Sequence, residues 1–534
     1  MSWENLSQTW HYVENWGQKR PELEALISDN ERLTWKAFKG KMDLTAKAFL
    51  EIGVGKGDRI ALISTSRNEF PLTYMAAGKV GAMWLGINPK YSLDEIRYMV
   101  SDCQPSVIIS LREFLGDDLQ DTLKSLIKEF PCIKKVLVIG EPFEGAESFS
   151  EFTQKTREEL DEALNIRSSE VNDEDDALLL YTSGSTGKPK GVIHTHKSII
   201  ANIGVQNEKF YIAEGHKGIC PFPINHVASC TEMLISSIMA GTAIVLMETF
   251  DPVEVLKKVE DEGVTAFGQP PVMFLMEMKM PQFMETDFSK VETFLWAGAA
   301  APKIMIDTLD SICQKTGAFL ITGYGSTETC GFVTYSEKGD DYETLLKSAG
   351  KIAPPFELKI VDDDRNELPS GEVGEIAVRG DFLMKGYLNK PEETKEAIDE
   401  DGWFYTSDLA YKDDRDYIYI TGRKSEMFKT GGENVFPLEI EETLESHESV
   451  LFAAVIGVPD EVYQEVGWAF VMTQPERAVT VEELRRLCRS KLANFKVPKK
   501  FFIRPLLPIT PSGKVDKVTL KNEIKDMLRP LQNQ

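Results

Sequence analysis

Strand-length apolar runs alternate with helix-length segments along most of this chain, and that rhythm constrains its fold more than any other feature. Arg59 to Ile63, Val107 to Ser110, Lys135 to Ile139, Ala177 to Tyr181, Ala243 to Met247, Ala266 to Gly268 and Phe294 to Ala297 read as strands. Helical candidates such as Glu69 to Ala82, Lys197 to Gln206 and Pro252 to Glu262 lie between them. The alternation predicts α/β architecture, with mostly parallel sheets covered on both faces. From Lys351 to Ile420 the pattern changes. Short strands at Glu357 to Val361, Gly374 to Arg379 and Tyr417 to Ile420, separated by Asp, Gly and Pro turns, predict an antiparallel subdomain. Beyond Gly422 a helix at Pro437 to Ser446, a strand at Val450 to Val458 and a helix at Val481 to Leu492 predict a small separate domain, its boundary near Arg423.

Composition excludes several classes of function. Lys and Arg total 60 against 85 Asp and Glu, a formal net charge of −25, which opposes a broad contact with nucleic-acid phosphates. The most membrane-like stretch, Val227 to Met247, carries one charge at Glu232 and is diluted by Ser229, Thr231, Ser236 and Ser237. Gly241-Thr242 divides it into a buried helix and a short core strand, not a span. The amino terminus lacks the pattern of a secretory signal. Seven cysteines, scattered and never in a C-x-x-C pair, suggest neither disulfides nor zinc, so a cytoplasmic location is expected.

The most informative stretch runs from Leu178 to Gly191. An apolar strand leads into Thr182, Ser183, Gly184, Ser185, Thr186, Gly187, Lys188 and Lys190. Glycines let backbone amides converge, while hydroxyls and ammoniums bind phosphoryl oxygens, a chemistry suited to a triphosphate. It is not a G-x-x-x-x-G-K-[ST] loop: two residues separate Gly184 from Gly187, and Pro189 follows Lys188. No G-x-G-x-x-G opens a helix near the first strand either.

Five further motifs follow in order: Pro223-Ile-Asn-His226, Gly323-Tyr-Gly-Ser-Thr-Glu328, Tyr405-Thr-Ser-Asp408, Thr421-Gly-Arg-Lys-Ser-Glu-Met-Phe-Lys429 and Pro511-Ser-Gly-Lys514. Together with the loop they resemble the signatures of the adenylate-forming superfamily, which comprises acyl-CoA synthetases, luciferases and peptide-synthetase adenylation domains. The resemblance to the acyl-CoA synthetase (AMP-forming) branch implies a large N-terminal domain, residues 1–421, of two α/β sheet subdomains and a small antiparallel β subdomain. A hinge at 422–425 and a small mobile α+β domain at 426–534 would complete it.

The implied reaction joins a carboxylic acid to coenzyme A through an acyl-adenylate, using ATP and Mg²⁺. Small molecules are then the expected partners, without nucleic acid or a membrane span. Attack of a carboxylate on ATP brings two anions together, so such a site must neutralise charge and align the attack. By resemblance Tyr324 lies against adenine between Gly323 and Gly325, Thr327 holds the α-phosphate, and Glu328 with Thr182 binds the metal. Gly298, Ala299 and Ile420 complete the nucleotide pocket, and Asp408 and Arg423 meet the ribose. Lys514 bridges carboxylate and α-phosphate. Lys429, Gly431 and Gly432 belong to a second face that admits the thiol after the small domain turns. His226 stands at the acyl pocket mouth, whereas His194 and His196 read as structural.

The family's acyl pocket maps here onto His226, Val227, Ala228, Cys230, Trp296, Ala297, Gly298 and Gly325. None is cationic, which suggests an apolar monocarboxylate of medium size, whether medium-chain, branched, alicyclic or aromatic. Two departures stand out. Ser407 replaces the usual glycine of the Thr-Gly-Asp turn and is less free in backbone angle, and Ser425 occupies the hinge position usually held by Asp or Lys. A stand-alone adenylating enzyme that loads a carrier protein or other acceptor is the competing function. A protein that keeps only the nucleotide pocket is a third.

Overall fold

The computed structural model describes residues 6–155, 157–182, 189–474, 477–509 and 515–528. Its alternating strands and helices build two large sheets, each parallel through its middle. In one, Asp176–Thr182, Met83–Ile87, Arg59–Ile63, Val107–Leu111 and Lys135–Ile139 lie parallel, and Lys190–Thr195 and Gly386–Tyr387 add antiparallel at an edge. In the other, Glu24–Ile27, Ala243–Leu246, Lys217–Cys220, Ala266–Gln269, Thr293–Trp296 and Phe319–Ser326 run parallel. Gly331–Tyr335 and Lys351–Ile352 return antiparallel beside them.

One apolar cluster spans both sheets. Leu26 and Ile244 of one sheet and Ile60, Trp84 and Leu178 of the other meet across Phe38, Phe70 and Ile199 of intervening helices. The helix Glu69–Lys79 is buried from Phe70 to Lys79 without interruption, as expected of a segment covered on all sides. Even Lys79 is enclosed there, paired with Glu14 at 2.5 Å and Asp43 at 2.7 Å. No helix among the described residues is long and apolar enough to cross a membrane.

The predicted antiparallel region is a four-stranded sheet of Glu357–Val361, Gly374–Arg379, Phe404–Lys412 and Ile418–Arg423. Phe404–Lys412 escapes sequence reading because Thr406, Ser407 and Asp408 break its apolar pattern. The segment expected to be a plain helix from Val227 to Ala240 differs more. Ala228–Ile235 is a π-helix, and an α-helix follows only at Ser236–Ala240. Within the wide coil the Thr231 hydroxyl lies between the carbonyls of Val227, at 3.0 Å, and Cys330, at 2.9 Å. Wide coils of this kind recur where a helix lines a functional cavity.

The carboxyl-terminal region has its own sheet, in which Val450–Asp460 and Gln464–Thr473 pair antiparallel and Lys500–Arg504 adds parallel. Its core of Phe428, Ile440, Val455, Val471 and Leu484 is separate from the others. It touches the large domain through Leu451, Phe452 and Met472, which join a cluster holding Tyr342, Leu345 and Leu346.

Lys517, at the start of the helix Lys517–Leu528, staples this region together. Its Nζ meets Glu426 at 2.5 Å and Glu441 at 2.9 Å. Burial pulls the ammonium's pKa down, but the two carboxylates outweigh it and hold it above the ordinary lysine value. Glu441 also accepts the Val455 N–H at 2.7 Å. Lys517→Met should cost about 3 kcal/mol of small-domain stability by leaving Glu441 buried without its cation. Denaturant unfolding followed by Trp468 fluorescence measures it, and a loss below about 0.5 kcal/mol would mean the staple is weak.

Candidate active site

The two described ends of the Ser/Gly loop face each other across one ladder. Thr182 closes the strand Asp176–Thr182 and pairs with Lys190, the first residue of Lys190–Thr195. Ser183, Gly184, Ser185, Thr186, Gly187 and Lys188 lie outside the described residues. Tyr98 donates its hydroxyl to the Pro189 carbonyl at 2.7 Å, which fixes the returning arm. The Lys190 ammonium sits 4.8 Å from the centre of the Tyr387 ring, and the Tyr387 hydroxyl donates to Glu328 Oε1 at 3.1 Å. Burial and the neighbouring carboxylate push the Tyr387 phenol well up, so it stays a donor. Tyr387 thus connects Lys190 to Glu328. It is missed in the sequence because its strand is two residues long.

The strand Phe319–Ser326 carries the next group. A side chain at Gly323 would lie 2.3 Å from the Thr334 carbonyl oxygen, and one at Gly325 would lie 2.0 Å from that of Gly331. Only glycine lets this strand approach its neighbour so closely. Past its end, the Thr327 carbonyl accepts a hydrogen bond from His194 Nε2 at 2.7 Å. His194 Nδ1 faces Ser198 Oγ at 3.3 Å, and burial pushes the imidazole down to about 4. His196 is equally enclosed, with Nδ1 against the hydroxyl of Thr9 at 3.1 Å, and burial lowers it also to about 4.

Tyr324, Asp408 and Arg423 come together from two sheets. The Tyr324 hydroxyl donates to Asp408 Oδ2 at 2.6 Å, and Arg423 Nε approaches Oδ1 at 2.8 Å. Tyr324 and Val192 share a cluster with Ile376 and Ile418, and Ile420 packs beside it, so the two large sheets and the four-stranded sheet meet here. Ser407 adopts the left-handed conformation, with φ +63°. The turn before Asp408 therefore keeps the shape glycine would give it. Glu375 holds it by accepting the Ser407 N–H at 2.8 Å, and the Lys424 N–H returns to the Ser407 carbonyl at 2.8 Å. Charged contacts flank Ser425: Lys424 pairs with Asp363 at 2.7 Å and Glu375 at 3.4 Å, and Glu426 pairs with Lys517.

His226 Nδ1 accepts the Ala228 N–H at 3.1 Å, which places the proton of a neutral ring on Nε2. Three residues expected to line the acyl pocket, Trp296, Cys230 and Val227, are buried in apolar cores. Trp296 is 2% exposed and packs among Phe274, Phe294 and Leu309, while Ala297, on the alternate face, shares a cluster with Phe332 and Tyr335. Cys230 turns into the central core, its thiol donating to the Ile224 carbonyl at 2.9 Å. Val227 belongs to that core too, whereas Ala228 remains partly exposed. Gly298, at φ +86°, and Ala299 lie exposed in the turn after the strand Thr293–Trp296.

An AMP-binding enzyme family model matches residues 13–388, and a model of the AMP-binding enzyme C-terminal domain matches 439–514. The chain belongs to the AMP-binding enzyme family. It is 32% identical over 512 residues to the acyl-CoA ligase sidI of Aspergillus fumigatus, covering 92% of this chain and 86% of that one. It is 30% identical over 511 residues to the long-chain-fatty-acid–CoA ligase FadD13 of Mycobacterium tuberculosis, covering 94% and 96%. The solved anthranilate CoA ligase AuaEII, in complex with anthranoyl-AMP, superposes with a TM-score of 0.87 over 98% of each chain at 24% identity. These relatives put the chain in the acyl-CoA synthetase branch of the adenylate-forming enzymes.

In this AMP-binding enzyme Lys429 and Thr430 pair with Asn434 and Glu433 around a two-residue turn, Gly431-Gly432. Both glycines have positive φ, +60° and +91°, as a tight hairpin turn demands. The hairpin tip is exposed. Lys514 lies outside the described residues. Among the described residues no group of three or more His, Cys, Asp or Glu is gathered for a metal.

Two expectations arise from the buried imidazoles and the strained turn. Both histidines have folded-state values about 4, below the ordinary 6.5. Their contribution to stability is present above pH 6.5 and lost as pH falls toward 4, roughly 3 kcal/mol each at the low end. Denaturant midpoints at pH 7 and 5 should fall less for His194→Asn than for the parent, and an equal fall would assign the acid sensitivity elsewhere. Ser407→Gly should stabilise by ~0.5–1 kcal/mol, and Ser407→Val should destabilise by about 2 kcal/mol, because φ stays positive there. A neutral valine variant would show that the turn relaxes freely.

Proposed function

We propose that this chain is an AMP-forming carboxylic acid–CoA ligase. A carboxylate oxygen attacks the α-phosphorus of ATP, an oxygen–phosphorus bond forms, and the bond to pyrophosphate breaks. The coenzyme A thiol then loses its proton and attacks the acyl carbon, and AMP leaves. The observation that carries this reading is the convergence of Lys190, Tyr387 and Glu328 with Tyr324, Asp408 and Arg423 beside Thr182 and Thr327.

Each residue has a physical task in this scheme. Lys190 and the loop hydroxyls neutralise the phosphates, with Thr327 at the α-phosphate. Asp408, its oxygens oriented by Tyr324 and Arg423, accepts the ribose hydroxyls. Tyr324 closes one side of the adenine site, and Gly298 and Ala299 leave its opposite wall open. Glu328 and Thr182 offer oxygen donors, which suit Mg²⁺, an ion usually held by one or two carboxylates plus phosphate oxygens. Bound there, the ion would offset phosphate charge. His226, with its proton on Nε2, donates toward the acid's carboxylate. Lys514 supplies a cation to the carboxylate and α-phosphate during adenylation. The small domain then turns about residues 422–425, and the Lys429–Gly432 hairpin replaces Lys514 and leaves a narrow way in for the thiol.

The acid is a monocarboxylate of medium size with an apolar body, since the wall built from Ala228, Ala297 and Gly325 supplies no cation for a second carboxylate. A panel of carboxylic acids tested for coenzyme A-dependent AMP release should find a substrate. Pyrophosphate exchange without thioester formation would instead favour an enzyme that loads another acceptor. Lys514→Ala should slow adenylation by roughly 10²–10³ while sparing thioester formation from supplied acyl-adenylate. Equal loss in both half-reactions would remove the lysine from its assigned role.

A further inference from the structure

Four successive carbonyls, Thr327 to Cys330, form the turn behind the candidate phosphate contacts, and each is met from a different part of the chain. His194 Nε2, on the strand Lys190–Thr195, donates to the Thr327 carbonyl at 2.7 Å. The Met384 N–H, just before the strand Gly386–Tyr387, donates to that of Glu328 at 2.9 Å. Asn202 Nδ2, on the helix His196–Lys209, donates to that of Thr329 at 2.9 Å, and the Thr231 hydroxyl of the π-helix lies 2.9 Å from that of Cys330. A methyl group built on the next residue, Gly331, would come 3.1 Å from Glu232 Cγ and 3.3 Å from Asn202 Oδ1, so packing behind the turn is close. Thr327 and Glu328 stay partly exposed, whereas Thr329 and Cys330 are buried. The backbone is clamped from behind while these two residues remain accessible.

Of these donors, His194 is the one that reaches Thr327 from outside the turn. The Thr327 carbonyl and the Glu328 N–H belong to one rigid peptide plane, so whatever fixes that carbonyl sets the direction in which both side chains leave the backbone. A carbonyl only accepts, which puts the imidazole proton on Nε2 and leaves Nδ1 bare toward Ser198 Oγ at 3.3 Å. The carbonyl's other partner is local, the Cys330 N–H at 3.0 Å. Without the imidazole the peptide plane could pivot about that local bond, and the carbonyl would still not be orphaned.

We propose that His194 is a positioning residue for adenylation: by holding the Thr327 carbonyl, it keeps the Thr327 hydroxyl aligned with the α-phosphate as the acid attacks. The inference rests on the ligase reading, which puts that phosphate at Thr327. His196 supplies the contrast. It is equally enclosed, with Nδ1 at 3.1 Å from the Thr9 hydroxyl, but its Nε2 has no hydrogen-bond partner among the described residues.

The test uses the full chain with the best acid from the panel. Parent, His194→Asn, His194→Gln and His196→Asn are compared in acid-dependent pyrophosphate exchange and in urea unfolding. Asparagine places its amide where the ring carries Nδ1, so it keeps its reach to Ser198 and gives up the Thr327 carbonyl. Glutamine extends an N–H about as far as Nε2 does. His194→Asn should lower kcat about 10- to 100-fold, the cost of misplacing a reacting group by up to about 1 Å. Its KM for ATP should stay within about threefold, since Lys190, Asp408 and Arg423 are untouched. His194→Gln should recover most of the lost kcat, and His196→Asn should lose stability without losing kcat. Three results would overturn the proposal while leaving the ligase reading intact: a kcat for His194→Asn as high as for His196→Asn, a loss confined to the KM for ATP, or no recovery with glutamine. Should His194→Asn not fold, ¹⁵N-labelled histidine in the parent decides: an acyl-sulfamoyl adenosine should shift the His194 Nε2 resonance and leave that of His196. An unmoved His194 resonance would overturn the proposal. No exchange with any acid and no binding of any analogue would overturn the ligase reading, and this proposal with it.

Discussion

The 2.7 Å hydrogen bond from His194 Nε2 to the Thr327 carbonyl is the joint on which the site depends. His194 ends in the core of one large sheet, and Thr327 follows the last parallel strand of the other. The bond fixes the distance between the returning arm of the Ser/Gly loop and the segment that presents Thr327 and Glu328. It forms with a neutral ring inside the protein, where hydrogen bonds are electrostatically stronger than in water. Tyr387 makes a second tie nearby by joining Lys190 to Glu328. Lys190 and Glu328 are thus linked through Tyr387 rather than by a direct ion pair.

A third sheet completes the site through Asp408 and Arg423, and the small domain follows directly from it. The connection at Lys424–Glu426 is a turn with charges on both sides of Ser425. Its partners lie on opposite bodies: Glu375 belongs to the four-stranded sheet and Asp363 to the turn after its strand Glu357–Val361, whereas Lys517 belongs to the small domain. Losing charge at position 425 therefore leaves both flanks anchored. Two further links join them: the apolar contact of Leu451, Phe452 and Met472, and the helix Pro437–Glu445 lying against the strand Ile418–Arg423.

Much of this was legible in the chain itself. The parallel strands were readable because buried strands are continuous apolar runs, and the phosphate loop because its hydroxyls and glycines interrupt one such run abruptly. Asp408 and Arg423 were readable from motif resemblance, although their mutual contact was not. Tyr387 was hidden: its strand has two residues, and its partners Lys190 and Glu328 are far away in sequence. Trp296 and Cys230 were misplaced for a different reason. Which face of a strand or coil points to a cavity depends on phase. In the segment after His226 that phase is shifted by a π-helix with no proline or glycine to mark it. Glu232 had been noticed only as the lone charge in an apolar stretch, whereas its position beside Gly331 depends on that same shift.

The wide coil from Ala228 to Ile235 has a consequence for how such a pocket could diverge. A π turn holds about one residue more than an α turn, so deleting a single residue would tighten the coil while leaving the segments before and after it in nearly the same rotational phase. Only the residues inside the coil would change the direction they face, and the Thr231 hydroxyl would lose its place between the Val227 and Cys330 carbonyls. Ligand preference in this scaffold can therefore change through chain length as well as through side-chain identity. Aligned relatives that differ by one residue between His226 and Gly241 would be expected to differ in what they accept, even where every flanking residue is the same.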